Sequence, residues 1–81
     1  MGPRDVLNKL KWGGGDELQI SRVTILHRGA PNDERVIEGS DILELGRGFM
    51  RVASPDGEVE IPYHRIIRIE AHGHMLWEKR G

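Results

Sequence analysis

Two His-Arg dipeptides stand where apolar runs of this 81-residue sequence meet turn residues. His27 ends the run 18–27, "LQISRVTILH", which predicts the first strand, and Arg28 begins the loop after it. His64-Arg65 lies within "IPYHRIIRI", residues 61–69. Guanidinium and imidazole groups are donors that proteins use to bind phosphate, and two histidines can also serve general acid–base catalysis. The repetition raises the question of whether both dipeptides serve one site.

The loop after the first dipeptide has the composition of an anion site. Arg28 and Gly29 begin this loop, and Arg35 follows its acidic pair, residues 33–34. Successive turn amides around a glycine can form a concave nest for an anion, and arginine offers a planar donor fork that matches phosphate oxygens. The structural alternative is that His27 hydrogen-bonds a neighbouring carbonyl group and that Arg28 pairs with one of the two acidic residues.

The second dipeptide follows a proline and an aromatic residue. Pro62 ends a strand or marks its edge, and Tyr63 precedes His64-Arg65. If the proline kink aims these three side chains the same way, they form a base-stacking face beside phosphate donors. Stacking on an aromatic side chain contributes roughly 1–3 kcal/mol per base. The alternative is that the kink places Tyr63 in the core.

Other candidate motifs give weaker signals. His72-Gly73-His74 could chelate a metal ion, but no third ligand is evident, so we interpret the motif as a solvated turn and predict no metal or cofactor. Gly13–Gly15 is no phosphate loop, because no Lys-Ser/Thr follows it. Trp12 and Trp77 are explained as core or rim packing. No Ser-His-Asp order and no carboxylate pair is placed for catalysis.

Composition limits the classes of function. The 12 basic and 13 acidic residues nearly balance, so any anion site must be a local cluster. The absence of cysteine excludes disulfides and thiolate metal sites. No apolar run approaches the ~18 residues that span a bilayer. We expect one domain over residues 1–81 that is cytoplasmic and makes no membrane contact.

The elements that position the dipeptides are a helix and short strands. Val6, Leu7 and Leu10 form one stripe of a helix over residues 3–12, which the glycine triplet ends. Apolar runs separated by turn residues then predict five or six antiparallel strands. The expected class is α+β, an N-terminal helix on a curved antiparallel sheet or a small, partly open β-barrel. The sheet residues expected in the core are Val23, Ile25, Val52, Ile61, Ile67, Ile69 and Leu76.

Several segments together resemble one known family. The segments "RDVLNKLKW", "HRGAPNDERVI", "GSDI", "LGRGF", "IPYHRIIRI" and "LWEK" are similar, in this order, to the RNA cyclic group end recognition domain. This family occurs as small archaeal proteins and as a module of RNA-processing proteins. The chain departs from the family pattern after Trp12, where "GGGDEL" replaces an expected Asp/Pro-containing loop. The resemblance therefore does not define the connection between the helix and the sheet.

The resemblance implies a function, and together with the residue-level argument it gives a set of predicted site residues. The function is binding of RNA 3′ ends that carry a 2′,3′-cyclic phosphate, in RNA processing or repair, with other RNA-processing proteins as further partners. Both His-Arg pairs would converge on one phosphate, Tyr63 would stack on the terminal base or ribose, and backbone N–H groups would add donors. The predicted binding residues are His27, Arg28, Gly29, Ala30, Arg35, Tyr63, His64 and Arg65.

Two other functions stay open from the residues alone. His27 and His64 could act as the acid–base pair of an enzyme that opens or forms a cyclic phosphate. Alternatively, the chain could be a protein-interaction barrel whose basic residues are solvated. We favour a binding module without a cofactor, because no His-x-Ser/Thr pair accompanies either histidine.

Overall fold

The computed structural model describes residues 1–80, which form one α-helix, seven β-strands and four short 3-10 segments. The helix and strands are α1 Pro3–Trp12, β1 Arg22–Leu26, β2 Glu34–Glu38, β3 Ile42–Leu45, β4 Phe49–Ser54, β5 Gly57–Pro62, β6 Ile66–Ala71 and β7 His74–Glu78. The 3-10 segments are Glu17–Ile20, Pro31–Asp33, Gly39–Asp41 and Tyr63–Arg65.

The helix α1 has the bounds that the sequence predicts. Pro3 occupies its first turn, where a missing N–H is tolerated, and the Asp5 carboxylate accepts a hydrogen bond from the Gly2 N–H at 3.1 Å. A ten-residue helix is not stable alone in water, so its buried residues Val6, Leu7 and Leu10 hold it in place. Between residues 1 and 80, no helix has the length and apolar character to cross a membrane.

The strands form two antiparallel sheets. One sheet has the strand order β2-β1-β6-β7, and the other has the order β3-β4-β5. The predicted α+β class, with a helix packed on antiparallel strands, is confirmed. The structure differs from the prediction in strand number, seven instead of five or six, and the strands within residues 1–80 do not close into a barrel.

The helix and both sheets share one cluster of buried residues. Leu7 of α1, Ile69 of the four-stranded sheet and Met50 of the three-stranded sheet are each fully buried in it. The other members of the cluster are Val6, Leu10, Leu18, Val23, Ile25, Ile37, Val52, Ile61, Tyr63 and Ile66. The docked-helix packing that the apolar stripe predicts is therefore present.

Two residues that the sequence assigns to the core lie outside it. Ile67 is only partly buried, and Leu76 is 43% exposed. Both are the extra residue of a β-bulge. On β6, Arg68 and Ile66 pair with consecutive residues of β1, and on β7, Trp77 and Met75 pair with consecutive residues of β6. A bulge breaks the strict two-residue alternation of strands, and with it the assignment of faces.

The first predicted strand begins later than expected, because its first residues form a 3-10 turn. The Ser21 hydroxyl donates to the Leu18 carbonyl at 2.6 Å and ties this turn to the start of β1. The Gly39 N–H donates to the Ser21 carbonyl at 2.7 Å. A side chain at Gly39 would collide with the Leu18 carbonyl, so glycine permits this close approach of two backbone segments.

Candidate functional site

The loop between β1 and β2 is closed by its own hydrogen bonds. The His27 N–H donates to the Asp33 carbonyl at 2.7 Å, and the Ala30 N–H donates to the His27 carbonyl at 3.2 Å. The Gly29 N–H donates to the Asp33 carboxylate at 3.3 Å. The two backbone donors that the sequence offers for an anion, at Gly29 and Ala30, are therefore engaged within the loop.

The side chains around this loop form a basic cleft, defined by His27, Arg28, Arg35 and Arg65. A cavity of about 220 Å³ is lined by Leu26 together with His27, Arg28 and Arg65. A second cavity of about 160 Å³ shares His27 and Arg65 with the first and adds Arg35. The shared residues make the two cavities adjoining parts of one cleft.

Strand pairing explains why residues so distant in sequence meet in the cleft. Ile25, near the end of β1, pairs with Arg35 of β2 on one side and with Ile66 of β6 on the other. Arg35 precedes the buried Ile37 by two residues, so its side chain starts from the inner face of the sheet. Arg65 immediately precedes Ile66, so Arg35 and Arg65 flank the end of β1.

The arginines of the cleft form no ion pairs. Within residues 1–80, Arg28, Arg35 and Arg65 have no carboxylate within 4.0 Å, which is also true of Arg4 and Arg47, whereas Arg22, Arg51 and Arg68 each form an ion pair. The alternative pairing of Arg28 with Asp33 or Glu34 does not occur. The Asp33 carboxylate accepts from the Gly29 N–H, and the Arg68 guanidinium contacts both oxygens of Glu34 at 3.3 and 3.4 Å.

One carboxylate stands in the wall of the cleft. Glu60, on β5 of the three-stranded sheet, lines the smaller cavity together with Val59 and Ile61. It forms no ion pair with Arg35 or Arg65, and it also lines a separate surface cavity with Arg51, its cross-strand partner on β4. The cleft therefore combines three arginines and one histidine with a single acidic side chain among its lining residues.

Tyr63 belongs to the core and not to the cleft. Its side chain is part of the buried cluster, and its hydroxyl donates to the Gly46 carbonyl at 2.6 Å. Burial raises the pKa of the Tyr63 hydroxyl above its ordinary value, against an opposing effect of the Arg4 charge. Tyr63 therefore lies in the core after the proline kink, as the structural alternative predicts.

His64 does not line the basic cleft. It lines an aromatic cavity of about 250 Å³, whose other walls are Pro3, Tyr63, Ile66, Trp77 and Lys79. The two His-Arg pairs therefore meet only in part, because His27 and His64 line different cavities. Sequence reasoning missed Trp77, Lys79 and Glu60 as possible site residues, although the segment "LWEK" that carries the resemblance contains the first two.

The remaining histidine motif forms a turn between β6 and β7. His72 and Gly73 both have positive φ, and His72 Nε2 lies 3.2 Å from the Glu17 carboxylate. In the part of the chain that the structure describes, no three His, Asp or Glu side chains are grouped as a metal ion would require.

The chain is similar to a family of known proteins. A family model, the MJ1316 RNA cyclic group end recognition domain, matches residues 1–79. A UPF0248 protein of Thermococcus gammatolerans is 38% identical over 78 residues, covering 95% of this chain and 88% of the relative. A UPF0248 protein of Pyrobaculum calidifontis is 36% identical, covering 95% of this chain and 96% of the relative.

A third relative, the UPF0248 protein PF1300 of Pyrococcus furiosus, is 36% identical and covers 95% of this chain and 87% of its own length. No solved structure matches the chain. The resemblance seen in the sequence is thus confirmed along almost the whole chain, and the chain belongs to the family of the MJ1316 RNA cyclic group end recognition domain.

Proposed function

We propose that this chain binds RNA ends that carry a 2′,3′-cyclic phosphate and holds the phosphate in the basic cleft. The description of the family supports RNA cyclic ends as the ligand. The single observation that carries the choice of site is the meeting of Arg28 and Arg65, both without an ion pair in residues 1–80, in one cavity beside His27. Charged side chains left without partners around a cavity favour a charged ligand.

The chemistry of the cyclic phosphate suits this donor set. A 2′,3′-cyclic phosphate is a monoanion with two free oxygens and no proton to donate. The guanidinium forks of Arg28 and Arg65 can each donate to these oxygens, and hydrogen bonds to a charged group contribute roughly 1.5–3 kcal/mol each. Arg35 supplies further positive charge from the inner end of the cleft, and the His27 ring can add a donor.

Glu60 offers a reason for selectivity among phosphate ends. A linear 3′-phosphate carries more negative charge than a cyclic one near neutral pH, so a carboxylate in the cleft wall repels it more strongly. Repulsion of a competing ligand is a recognised source of specificity. The three arginines therefore provide the affinity for the phosphate, and Glu60 provides the discrimination between cyclic and linear ends.

The backbone donors play no part in this account. The Gly29 N–H would have to exchange the Asp33 carboxylate for the phosphate, and the Ala30 N–H would have to leave the His27 carbonyl. Breaking these contacts would offset the gain, so the proposed contacts come from side chains. Gly29 and Ala30 instead shape the loop that holds Arg28 and His27 in position.

The arrangement of the histidines favours binding over catalysis. An acid–base pair must reach opposite sides of one phosphate, with heavy atoms within hydrogen-bond distance of the transferred protons. His27 and His64 line separate cavities and share none. A single histidine in the cleft can bind the phosphate without supplying both proton transfers.

The test uses one short RNA prepared with three 3′ ends: cyclic phosphate, linear phosphate and hydroxyl. Fluorescence anisotropy measures each affinity at fixed salt, and mass spectrometry reads the ends afterwards. The proposal predicts tightest binding to the cyclic end, which is recovered unchanged. Equal affinity for all three ends would overturn it, and no affinity for any of them would favour the protein-interaction function. Conversion of cyclic to linear ends would identify an enzyme.

A further inference from the structure

The aromatic cavity is apolar inside and cationic at its margin. The side chains of Pro3, Ile66 and Trp77 supply apolar surface, and His64 and Lys79 bring polar groups. The Lys79 ammonium group donates to the His64 carbonyl at 3.0 Å, which holds a positive charge beside the cavity. The Trp77 indole N–H donates to the Met1 carbonyl at 3.3 Å, which orients the ring.

This cavity adjoins the basic cleft through a single turn of the chain. His64 lines the aromatic cavity, and the next residue, Arg65, lines both parts of the basic cleft. Consecutive Cα atoms are only about 3.8 Å apart, so the basic cleft and the aromatic cavity are separated by a single turn of the chain. A ligand that combines an anionic group with a flat aromatic group can contact both.

We infer that the aromatic cavity is a nucleobase subsite, which takes one of the last two bases of the RNA whose cyclic phosphate occupies the basic cleft. The inference rests on the proposed function, because the phosphate fixes which bases come within reach. Trp77 and His64 supply aromatic rings to the cavity lining. Every base has a π-face, and stacking on aromatic rings is tolerant of base identity. Lys79 adds a charge that favours the adjoining sugar–phosphate backbone over an uncharged ligand.

The subsite gives His64 a role that does not depend on contact with the terminal phosphate. Two contributions to the binding free energy then come from two places. The basic cleft discriminates between the chemical groups at the RNA end, whereas the aromatic cavity adds affinity for any RNA with a base at this position. Loss of the subsite should therefore weaken cyclic, linear and hydroxyl ends by the same factor.

The experiment combines protein variants with abasic RNA. Short RNAs with a cyclic end carry a normal base or an abasic residue at the last or the next-to-last position. Their affinities are measured for the wild type, His64→Ala, Trp77→Leu and the control Trp12→Leu, since Trp12 is 74% exposed on α1 and does not line the cavity. Folding of each variant is checked by circular dichroism, and His64→Ala serves if Trp77→Leu does not fold, since His64 is exposed.

The inference predicts that one of the two abasic substitutions weakens wild-type binding by about tenfold, the scale of one stacked base. In His64→Ala or Trp77→Leu, the same abasic substitution should change the logarithm of the affinity by less than about half as much as in the wild type. In Trp12→Leu it should have its full effect. The ratio of affinities for cyclic and hydroxyl ends should stay unchanged in His64→Ala.

Two results would overturn the inference, and they can be told apart from failure of the proposed function. If neither abasic substitution weakens binding, or if the loss is the same in the wild type and in both cavity variants, the cavity takes no base. The proposed function would survive either result as long as the wild type prefers cyclic over hydroxyl ends. Loss of that preference in the wild type would remove the proposed function and the inference with it.

Discussion

Arg28 and Arg65 line one cavity, although the first follows β1 and the second precedes β6. The antiparallel pairing of these two strands brings the end of one beside the start of the other. Neither guanidinium has an ion pair among the described residues, so folding places two free positive charges at the same end of the sheet. This convergence is the geometric basis of the proposed function.

Replacing Leu7 by alanine should destabilise the fold strongly, because Leu7 is fully buried between α1 and the sheets. A buried Leu→Ala change costs about 2–5 kcal/mol, which lowers the melting temperature of so small a domain by roughly 10 °C or more. Leu76→Ala is the control, since Leu76 is 43% exposed and should cost less than about 1 kcal/mol. Thermal unfolding that ranks the two variants equally would contradict the described core.

Tyr63→Phe should remove the hydrogen bond to the Gly46 carbonyl and cost about 1 kcal/mol of unfolding free energy at neutral pH. Because burial raises the folded-state pKa of Tyr63 above 10.0, the folded state holds this proton more tightly than the unfolded state does. The stability that the tyrosine contributes is therefore complete below pH 10 and declines above it. Denaturant unfolding at pH 8 to 11 should show the wild type losing its advantage over Tyr63→Phe; a constant difference would refute this.

The sequence predicts the elements well and the faces of the strands less well. The helix 3–12 follows from an apolar stripe, a proline start and a glycine end, all of which are local signals. The sequence predicts Ile67 and Leu76 in the core, but each is the extra residue of a bulge. A bulge depends on the pairing of two distant strands, so no local pattern in one strand reveals it.

The candidate site is likewise predictable from the sequence only in part. The two His-Arg dipeptides are visible in the sequence, and strand pairing brings Arg28, Arg65 and His27 together. The cavity that His64 lines depends on the turn Tyr63–Arg65. This turn buries Tyr63 and places His64 and Arg65 at different cavities. Glu60 and Trp77 have no spacing relation to the dipeptides, so only the packing of the sheets and α1 associates them with the site.

Glu60→Gln should reduce the preference for cyclic over linear phosphate ends. Removing the carboxylate removes the repulsion of the second negative charge, so affinity for the linear end should rise by about threefold to tenfold, the range of a partly screened charge pair. Asp56→Asn is the matched control, because it removes one negative charge in the exposed turn before Gly57. Equal effects of the two substitutions would show that net charge, and not the position of Glu60, sets the preference.

Binding of cyclic-ended RNA should depend only modestly on salt. The arginines of the cleft act on the terminal phosphate and Lys79 lies near the adjoining backbone, so only about two or three phosphates are engaged, and the slope of log K against log salt concentration should be about −1 to −2 for a single strand. Anisotropy titrations from low to high salt measure this slope. A slope several times steeper would indicate an extended basic surface in place of an end-binding cleft.

A double-mutant cycle on Arg28 and Arg65 tests the central claim most directly. Affinities of the wild type, Arg28→Ala, Arg65→Ala and the double variant are measured for one RNA with a cyclic or a hydroxyl end, with Arg47→Ala as the exposed control. Each single substitution should cost roughly 1.5–3 kcal/mol for the cyclic end. The two losses should be non-additive, because both groups act on one phosphate. Strictly additive losses, or losses equal for cyclic and hydroxyl ends, would contradict a shared site for the terminal phosphate.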